Sequence, residues 1–321
     1  MSCRILIENP APFRQAARGP NGGPVDVSMD EGVDVVRYLL ASGLQFAGVH
    51  HSDLDPYEAK QMRRGEAPPR FDSLDYACYV KECLGEQAGL VIPHRVIVYR
   101  EPEEQLASLR RMLALGIHDL VLVGTPFHTP PAGVVYRSSV EQMLAFLRSE
   151  RPDSGLRLGI VVLHERRDEP ARLRRKLTAA GSGRVRLMGQ FLDDARPMLA
   201  FMDAAARELE ASGRDFGDLE WNIGLAMFTL KNRDFYAKLL RKPQLACEPR
   251  FAGLHSTESR IAESVAMNLE FAERLRARGD ALGFDIGFSL QPIIERTPKG
   301  SMHPGMDGIV ELGKALHGRF G

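Results

Sequence analysis

Eight short apolar runs recur along the chain, and an amphipathic helical stretch follows each of them. The runs occupy residues 4–8, 44–50, 90–99, 119–124, 156–163, 185–191, 219–227 and 282–290. Runs that are almost continuously apolar are typical of parallel strands buried on both faces. A chain that alternates strand and helix eight times therefore predicts an α/β fold, a closed (β/α)8 TIM barrel.

Helical periodicity fills the segments between the runs. The pattern Ser28-Met29-Asp30-Glu31 predicts a capping box before the first helix, which we expect to end at Gly43. Segment 256–278 is a long amphipathic stretch, so we predict one extra helix before the last strand. The remaining helices are predicted near 73–84, 103–115, 138–148, 170–180, 194–212, 233–240 and 306–317.

The length and charge of the chain bound its organisation and its partners. Its 321 residues exceed the roughly 250 residues of a typical barrel, which leaves room for long loops but hardly for a second core. We therefore predict a single domain over residues 1–321. The 42 basic and 42 acidic residues cancel, so no nucleic acid and no membrane is expected as partner, and a small molecule is favoured. A homo-oligomer is left open.

The four cysteines favour neither a metal site nor a disulfide framework. Cys3, Cys78, Cys83 and Cys247 form no CxxC pair and have no histidine at zinc-ligand spacing, so no metal is predicted. The amino terminus runs directly into the first strand without a signal-peptide pattern, and no run has the roughly 18 apolar residues of a membrane span. We expect a cytoplasmic protein with reduced thiols.

Active sites of such barrels lie at the carboxyl ends of the strands, so the polar residue that ends each run is a candidate. Glu8 ends the first run, where partial loss of solvent would raise the pKa of its carboxyl group and suit a general acid. The structural alternative is a salt bridge to a neighbouring arginine. Three loops at the same face are long, 10–24, 52–71 and 126–136, and the glycine-rich part at 14–24 could act as a lid.

Polar groups at other strand ends could hold a ligand. Gln190 and Gln291 end the sixth and eighth runs, and each amide can offer a donor and an acceptor to a heterocycle, or instead bond a neighbouring strand end. Thr125 places a hydroxyl after the fourth run. His164-Glu165 closes the fifth run and could be a proton-transfer pair or metal ligands, although adjacent residues do not share a strand face. His50-His51 poses the same question.

Several of these pieces together resemble methylenetetrahydrofolate reductase, a (β/α)8 enzyme family. The stretch 157–193 has the family's order of strand, His164-Glu165, Pro170, Arg174-Arg175-Lys176, Ala180-Gly181 and Gly189-Gln190-Phe191. Ile7-Glu8-Asn9-Pro10-Ala11-Pro12 is similar to its first-strand glutamate followed by prolines, and Val123-Gly124-Thr125-Pro126 to its Gly-Asp-Pro loop. The resemblance spans most of the chain.

The resemblance implies a role for each matching residue. Glu8 would be the general acid that helps open the five-membered ring of the folate, Gln190 would bind the folate, and Lys176 would lie near flavin phosphates, with His164 and Glu165 beside the cofactor. Thr125 stands where the flavin enzymes of the family carry an aspartate, and Leu163 where they carry a tyrosine. The chain therefore resembles the divergent actinobacterial branch, with NAD(P)H as hydride donor and FAD left open.

Three hypotheses follow from the residues and the resemblance. The first is an oxidoreductase that reduces 5,10-methylenetetrahydrofolate to 5-methyltetrahydrofolate with NAD(P)H. The second keeps the barrel and the reduced folate but transfers a methyl or one-carbon group, since a fold does not fix its chemistry. The third is a non-catalytic folate-binding partner subunit.

Overall fold

Eight parallel strands close into a barrel in the computed structural model, which describes residues 3–12, 15–16, 25–26, 28–53, 71–125, 130–150, 155–229, 233–292 and 305–321. The strands are β1 Ile5–Glu8, β2 Gly48–His51, β3 Leu90–Val96, β4 Asp119–Val123, β5 Arg157–Val162, β6 Val185–Phe191, β7 Leu219–Ala226 and β8 Asp285–Gln291. Each strand pairs with its neighbours in sequence, and β8 closes the ring on β1. Every predicted run overlaps one strand, so the predicted (β/α)8 fold is confirmed.

Helices connect successive strands on the outside of the barrel. They are α1 Asp30–Ala41, α2 Ser73–Leu84, α3 Leu106–Ala114, α4 Val140–Glu150, α5 Glu169–Ala180, α6 Ala195–Glu210, α7 Arg233–Leu239, α8 Thr257–Leu282 and α9 Gly305–Phe320. Both α7 and α8 lie between β7 and β8, which confirms the extra helix before the last strand. None of the helices in the described ranges combines the length and the apolar composition that crossing a membrane requires.

Three local predictions need correction. The hydroxyl of Ser28 accepts a hydrogen bond from the Asp30 amide at 3.1 Å and donates to the Asp30 carboxylate at 2.7 Å, so it pairs with Asp30 and not in a capping box with Glu31. The segment predicted as helix from 103 instead begins with a 3-10 turn, Pro102–Gln105, because a capping box on Glu101 closes there. Segment 10–24, predicted as a loop, contributes strand Gln15–Ala16, which pairs with Val25–Asp26.

Ion pairs fill the amino end of the barrel interior. Arg186 lies 2.5 Å from Asp119 and 2.7 Å from Glu220, and Arg4 contacts Glu220 at 3.1 Å. Arg186, Asp119 and Glu220 are all buried. Asp119 is also paired with Arg157 at 2.5 Å. Charged side chains that lose most of their hydration are tolerated only when each one is paired in this way.

An apolar level separates these ion pairs from the opposite end of the barrel. Leu6, Ile92, Val121 and Met188 meet on the barrel axis. Because side chains alternate between the two faces of a strand, the residues two positions further along also point inward. Those positions include Glu8 and His94, so the strand pattern brings polar groups together at the carboxyl end of the barrel.

Candidate active site

A cavity of about 570 Å³ opens at the carboxyl ends of the strands. A volume of this size is typical of sites that bind small molecules. Six of the seven residues predicted for the site line it: Glu8, Thr125, Glu165, Lys176, Gln190 and Gln291. They come from five strand ends and one helix, so the fold gathers groups that lie far apart in the sequence.

Glu8 is the last residue of β1 and is partly buried. Its Cα is in register with that of His50 on β2, so both side chains project from the same level of the barrel. Tyr236 of α7 packs nearby, and its burial, reinforced by the negative charge of Glu8, raises the pKa of its hydroxyl. The predicted acid therefore lies at the boundary between the apolar barrel and the open cavity.

The backbone of β6 is irregular where Gln190 enters the cavity. The register between β6 and β7 shifts between Met188 and Phe191, which is a bulge, and bulges next to active sites re-aim side chains. A Cβ at Gly224 of β7 would lie only 2.6 Å from the Phe191 nitrogen, so glycine is required for this close approach. Consecutive residues 188–191 all contribute to the cavity wall as a result.

Two histidines and a serine form a polar floor that the sequence analysis did not assemble. His50 Nε2 is hydrogen-bonded to Ser289 Oγ, and the His50 ring stacks on His94 with centroids 5.0 Å apart. All three residues line the cavity. His50 Nδ1 and His94 Nε2 have no hydrogen-bond partner among the described residues. In the sequence, His94 could be recognised only from its position two residues after Ile92, which places both side chains on the same face of β3. The run 90–99 was interpreted as an apolar strand, so His94 was not chosen.

Burial keeps four histidines neutral. It lowers the pKa of His51 and of His164 to about 4 and that of His94 to about 3, and it lowers the pKa of His50 well below its usual value. These imidazoles can accept or donate hydrogen bonds at neutral pH without carrying charge.

We expect acid to destabilise this protein well before its carboxylates titrate. Unfolded histidines bind protons below about pH 6.5, whereas the buried rings of His51, His94 and His164, with pKa values of about 4 or lower, stay neutral there. Unfolding therefore takes up protons, and stability falls as pH falls from about 6.5 toward 4; the lowered pKa of His50 acts in the same direction. Each histidine should remove about 1 kcal/mol between about pH 7.5 and 5.5. Urea unfolding at the two pH values measures the change. A midpoint that does not move would contradict the burial of these rings as neutral groups.

His164 is the predicted residue that does not reach the cavity. Its side chain is buried behind the wall, while the adjacent Glu165 faces the cavity. Both residues lie in the turn that follows β5, which the Arg166 amide closes by donating to the Leu163 carbonyl at 2.9 Å, and this turn directs the two side chains differently. Glu165 pairs with Lys242 at 2.6 Å, and Lys242 also contacts Asp193 at 2.6 Å. Glu165 is thus one end of an ion-pair network, and its Oε1 lies 4.0 Å from His164 Nε2, a distance too long for a direct hydrogen bond.

Lys176 lines the cavity but is not a solvated surface residue. Its ammonium group donates to the Glu169 carboxylate at 3.0 Å and to the Val161 carbonyl at 3.2 Å. Glu169 is fully buried at the start of α5. Lys176 therefore carries a charge that is held rigidly at the wall.

Three arginines lie on the same side of the cavity as Lys176 and add positive charge to this wall. Arg166, Arg172 and Arg241 all line the same cavity. Arg172 pairs with Asp168 at 2.6 Å. The sequence analysis missed these residues because arginines between strands are usually solvated and carry no motif of their own. Together they make this side of the cavity suited to a phosphate or a carboxylate.

Some predictions concern residues that the structure does not describe. The lid at 14–24 and most of the loop at 52–71 lie largely outside the described residues, as does part of the loop at 126–136. Within the described ranges, no group of three or more histidine, cysteine or acidic side chains is placed to hold a metal ion.

Solved structures with similar folds bind folates or carry out redox chemistry. A protein from Clostridium thermocellum that binds two copies of 5-methyl-5,6,7,8-tetrahydrofolic acid matches with TM-score 0.68 and 15% identity, over 99% of this chain and 96% of that one. An EDTA monooxygenase from Chelativorans sp. BNC1 matches with TM-score 0.56 and 11% identity, over 100% and 95%.

An F420-dependent secondary alcohol dehydrogenase matches with TM-score 0.55 and 11% identity, over 98% of this chain and 99% of that one. No protein-family model and no curated protein sequence matches the chain. At such low identities the comparisons establish the shared barrel fold, and the chemistry has to be argued from the cavity itself.

Proposed function

We propose that this protein is an oxidoreductase that reduces 5,10-methylenetetrahydrofolate, or a related folate-bound one-carbon unit, to the 5-methyl form with hydride from NAD(P)H. The observation that carries the proposal is the convergence of Glu8 and Gln190, from opposite sides of the barrel, in one cavity of about 570 Å³. A proton donor and a heterocycle-binding amide are the two groups that this reduction needs from the protein.

Gln190 and Gln291 provide the polar recognition of the pterin ring. An amide side chain presents one acceptor and two donors, which complement the alternating nitrogen and carbonyl groups of a pterin edge. The bulge at Gln190 fixes the backbone from which that amide projects. Thr125 adds a hydroxyl at the end of β4. In this arrangement binding depends mainly on the glutamines and chemistry mainly on Glu8.

Glu8 acts as the general acid. It donates a proton to the bridging nitrogen whose bond to the methylene carbon breaks, and the electron pair of that bond stays on the nitrogen. The other ring nitrogen then forms an iminium with the methylene group, which accepts hydride to become a methyl group. A partly buried carboxyl at the carboxyl end of β1, facing the cavity, is in position for this role.

The positive wall fits a cofactor that bears phosphate. Arg166, Arg172 and Lys176 present guanidinium and ammonium donors on one side of the cavity, which is the donor set that a nucleotide phosphate requires. NAD(P)H would supply the hydride, and a flavin bound there would supply the same chemistry. Lys176 would hold the phosphate end while Glu8 and Gln190 orient the folate.

The structural neighbours agree with a folate and with redox chemistry. One neighbour binds 5-methyltetrahydrofolic acid, which would be the product here, and two others are a monooxygenase and a dehydrogenase. This similarity supports the proposal through the fold alone.

Replacing Gln190 by alanine tests the folate site. We expect 5-methyltetrahydrofolate to bind the wild-type protein and to bind Gln190→Ala about tenfold more weakly, because two hydrogen bonds to the pterin are lost. Calorimetric titration measures both affinities. The matched control is Gln87→Ala, since Gln87 is exposed in the 3-10 turn Gly85–Ala88.

Equal folate affinity in the wild-type protein and Gln190→Ala would remove Gln190 from the site. Absence of folate binding to the wild-type protein would overturn the proposed function. Folate binding without any nicotinamide oxidation would favour one-carbon transfer or a non-catalytic subunit over the reductase.

A further inference from the structure

Helix α7 ends in a turn that normally requires glycine. The Arg241 amide donates to the Lys238 carbonyl at 3.0 Å and the Lys242 amide to the Ala237 carbonyl at 2.9 Å, which together form a Schellman motif. Its left-handed position is usually glycine, because other residues adopt this backbone conformation at a cost of about 1 kcal/mol. Here the position is Arg241, with φ +56°, the one non-glycine residue with positive φ in the described chain.

An ion-pair clamp holds the segment that follows α7 against the barrel. Lys242 bridges Glu165, after β5, and the buried Asp193, after β6, at 2.6 Å each. Asp193 also accepts a hydrogen bond from the Ala246 amide at 2.7 Å. The segment directly after Arg241 is therefore fixed to the barrel, and the unfavourable backbone conformation is imposed by its surroundings.

The Arg241 side chain belongs to the cavity wall with those of Arg166 and Arg172. Burial lowers the pKa of Arg166, Glu169 opposes this effect, and the positive charges of Arg172 and Arg241 lower the pKa further. Glu169, at 3.9 Å from Arg166, and Asp168, at 2.6 Å from Arg172, offset part of the charge of those two arginines. A cationic side chain held at a cavity wall at the expense of backbone conformation is typical of a site that binds an anion.

We infer that Arg241, together with Arg166, binds an anionic group, phosphate or carboxylate, of the ligand that fills the cavity. A phosphate would come from a nucleotide cofactor and a carboxylate from the glutamate tail of a folate. The choice between these sources rests on the proposed function, whereas the anion site itself does not. Binding of the anion by the Arg241 guanidinium would offset the backbone cost of arginine at the glycine position of the turn.

Arg241→Gly separates function from stability. Glycine removes the guanidinium and relieves the backbone, so we expect the thermal unfolding midpoint to stay the same or rise while anion binding weakens about tenfold or more. Arg241→Lys keeps the charge and should retain part of the binding. Arg233→Ala is the matched control, because Arg233 is an exposed arginine of the same helix that does not line the cavity.

Calorimetric titration of pyrophosphate, and of 5-methyltetrahydrofolate with one and with three glutamates, distinguishes the sources. Weaker pyrophosphate binding to Arg241→Gly assigns the site to a nucleotide phosphate. If the wild-type protein binds the triglutamate more tightly than the monoglutamate and Arg241→Gly binds both equally, the site is assigned to the folate tail. A wild-type protein that binds pyrophosphate but no folate would reject the proposed function and leave the anion site standing. Unchanged binding of every probe by Arg241→Gly, or no binding by the wild-type protein, would overturn the inference.

Discussion

Arg186→Met is expected to lower the free energy of unfolding by about 3 kcal/mol, because it leaves two buried carboxylates with one partner fewer. Arg186 is paired with both Asp119 and Glu220 at the amino end of the barrel. Asp119 keeps Arg157 and Glu220 keeps Arg4, so the loss should fall at the lower end of what breaking a buried ion pair costs. Methionine retains much of the side-chain volume, which limits the contribution of an empty cavity. Urea unfolding at neutral pH measures the difference.

Arg37→Met is the matched control for this prediction. Arg37 pairs with Asp34 on the surface of α1, and both side chains are largely exposed. Such a pair contributes less than about 1 kcal/mol, so the control variant should unfold almost as the wild-type protein does. If the two substitutions lowered the free energy of unfolding equally, the ion pairs inside the barrel would contribute no more to stability than a surface pair does.

Glu8→Gln is expected to reduce turnover of 5,10-methylenetetrahydrofolate by about 100-fold or more, because the amide cannot donate the proton that opens the ring. Glutamine has nearly the same size and still forms hydrogen bonds, so binding of 5-methyltetrahydrofolate should change little. Initial rates under saturating folate, compared with the folate affinity, separate the chemical step from binding.

The matched control for Glu8 is Glu311→Gln, which removes one carboxylate from the exposed side of α9. Its turnover should equal that of the wild-type protein. If Glu8→Gln also turned over at the wild-type rate, Glu8 would not be the acid, and the neutral His50 beside it would become the residue to test. A parallel loss of folate affinity in Glu8→Gln would instead assign Glu8 to binding.

The sequence was sufficient to predict the barrel and most of one wall of its cavity. Eight apolar runs of strand length determine the architecture, and in that architecture the site is assembled from residues at the carboxyl ends of the strands. Glu8, Gln190 and Gln291 could therefore be chosen from position alone, and all three line the cavity. Thr125 follows from the same rule.

Other features depend on packing that one sequence does not reveal. Arg186 and Asp119 lie within runs that read as apolar, and only the closed barrel shows that their charges meet. The bulge before Phe191 arises from the close approach of Gly224 on the neighbouring strand. Arg241 could not be recognised from the sequence, because it belongs to no motif and is distinguished only by its backbone conformation. His164 was misplaced because the direction of a side chain just beyond a strand depends on the turn that follows.

The formation of 5-methyltetrahydrofolate tests the central claim most directly. The protein is incubated anaerobically with 5,10-methylenetetrahydrofolate and NADH or NADPH, with and without added FAD, and the folates are separated by chromatography. The proposed function predicts 5-methyltetrahydrofolate in an amount equal to the nicotinamide oxidised, with the yield lost in Glu8→Gln. No 5-methyltetrahydrofolate with either nicotinamide, in the presence or absence of FAD, would contradict the assignment of this cavity to folate reduction.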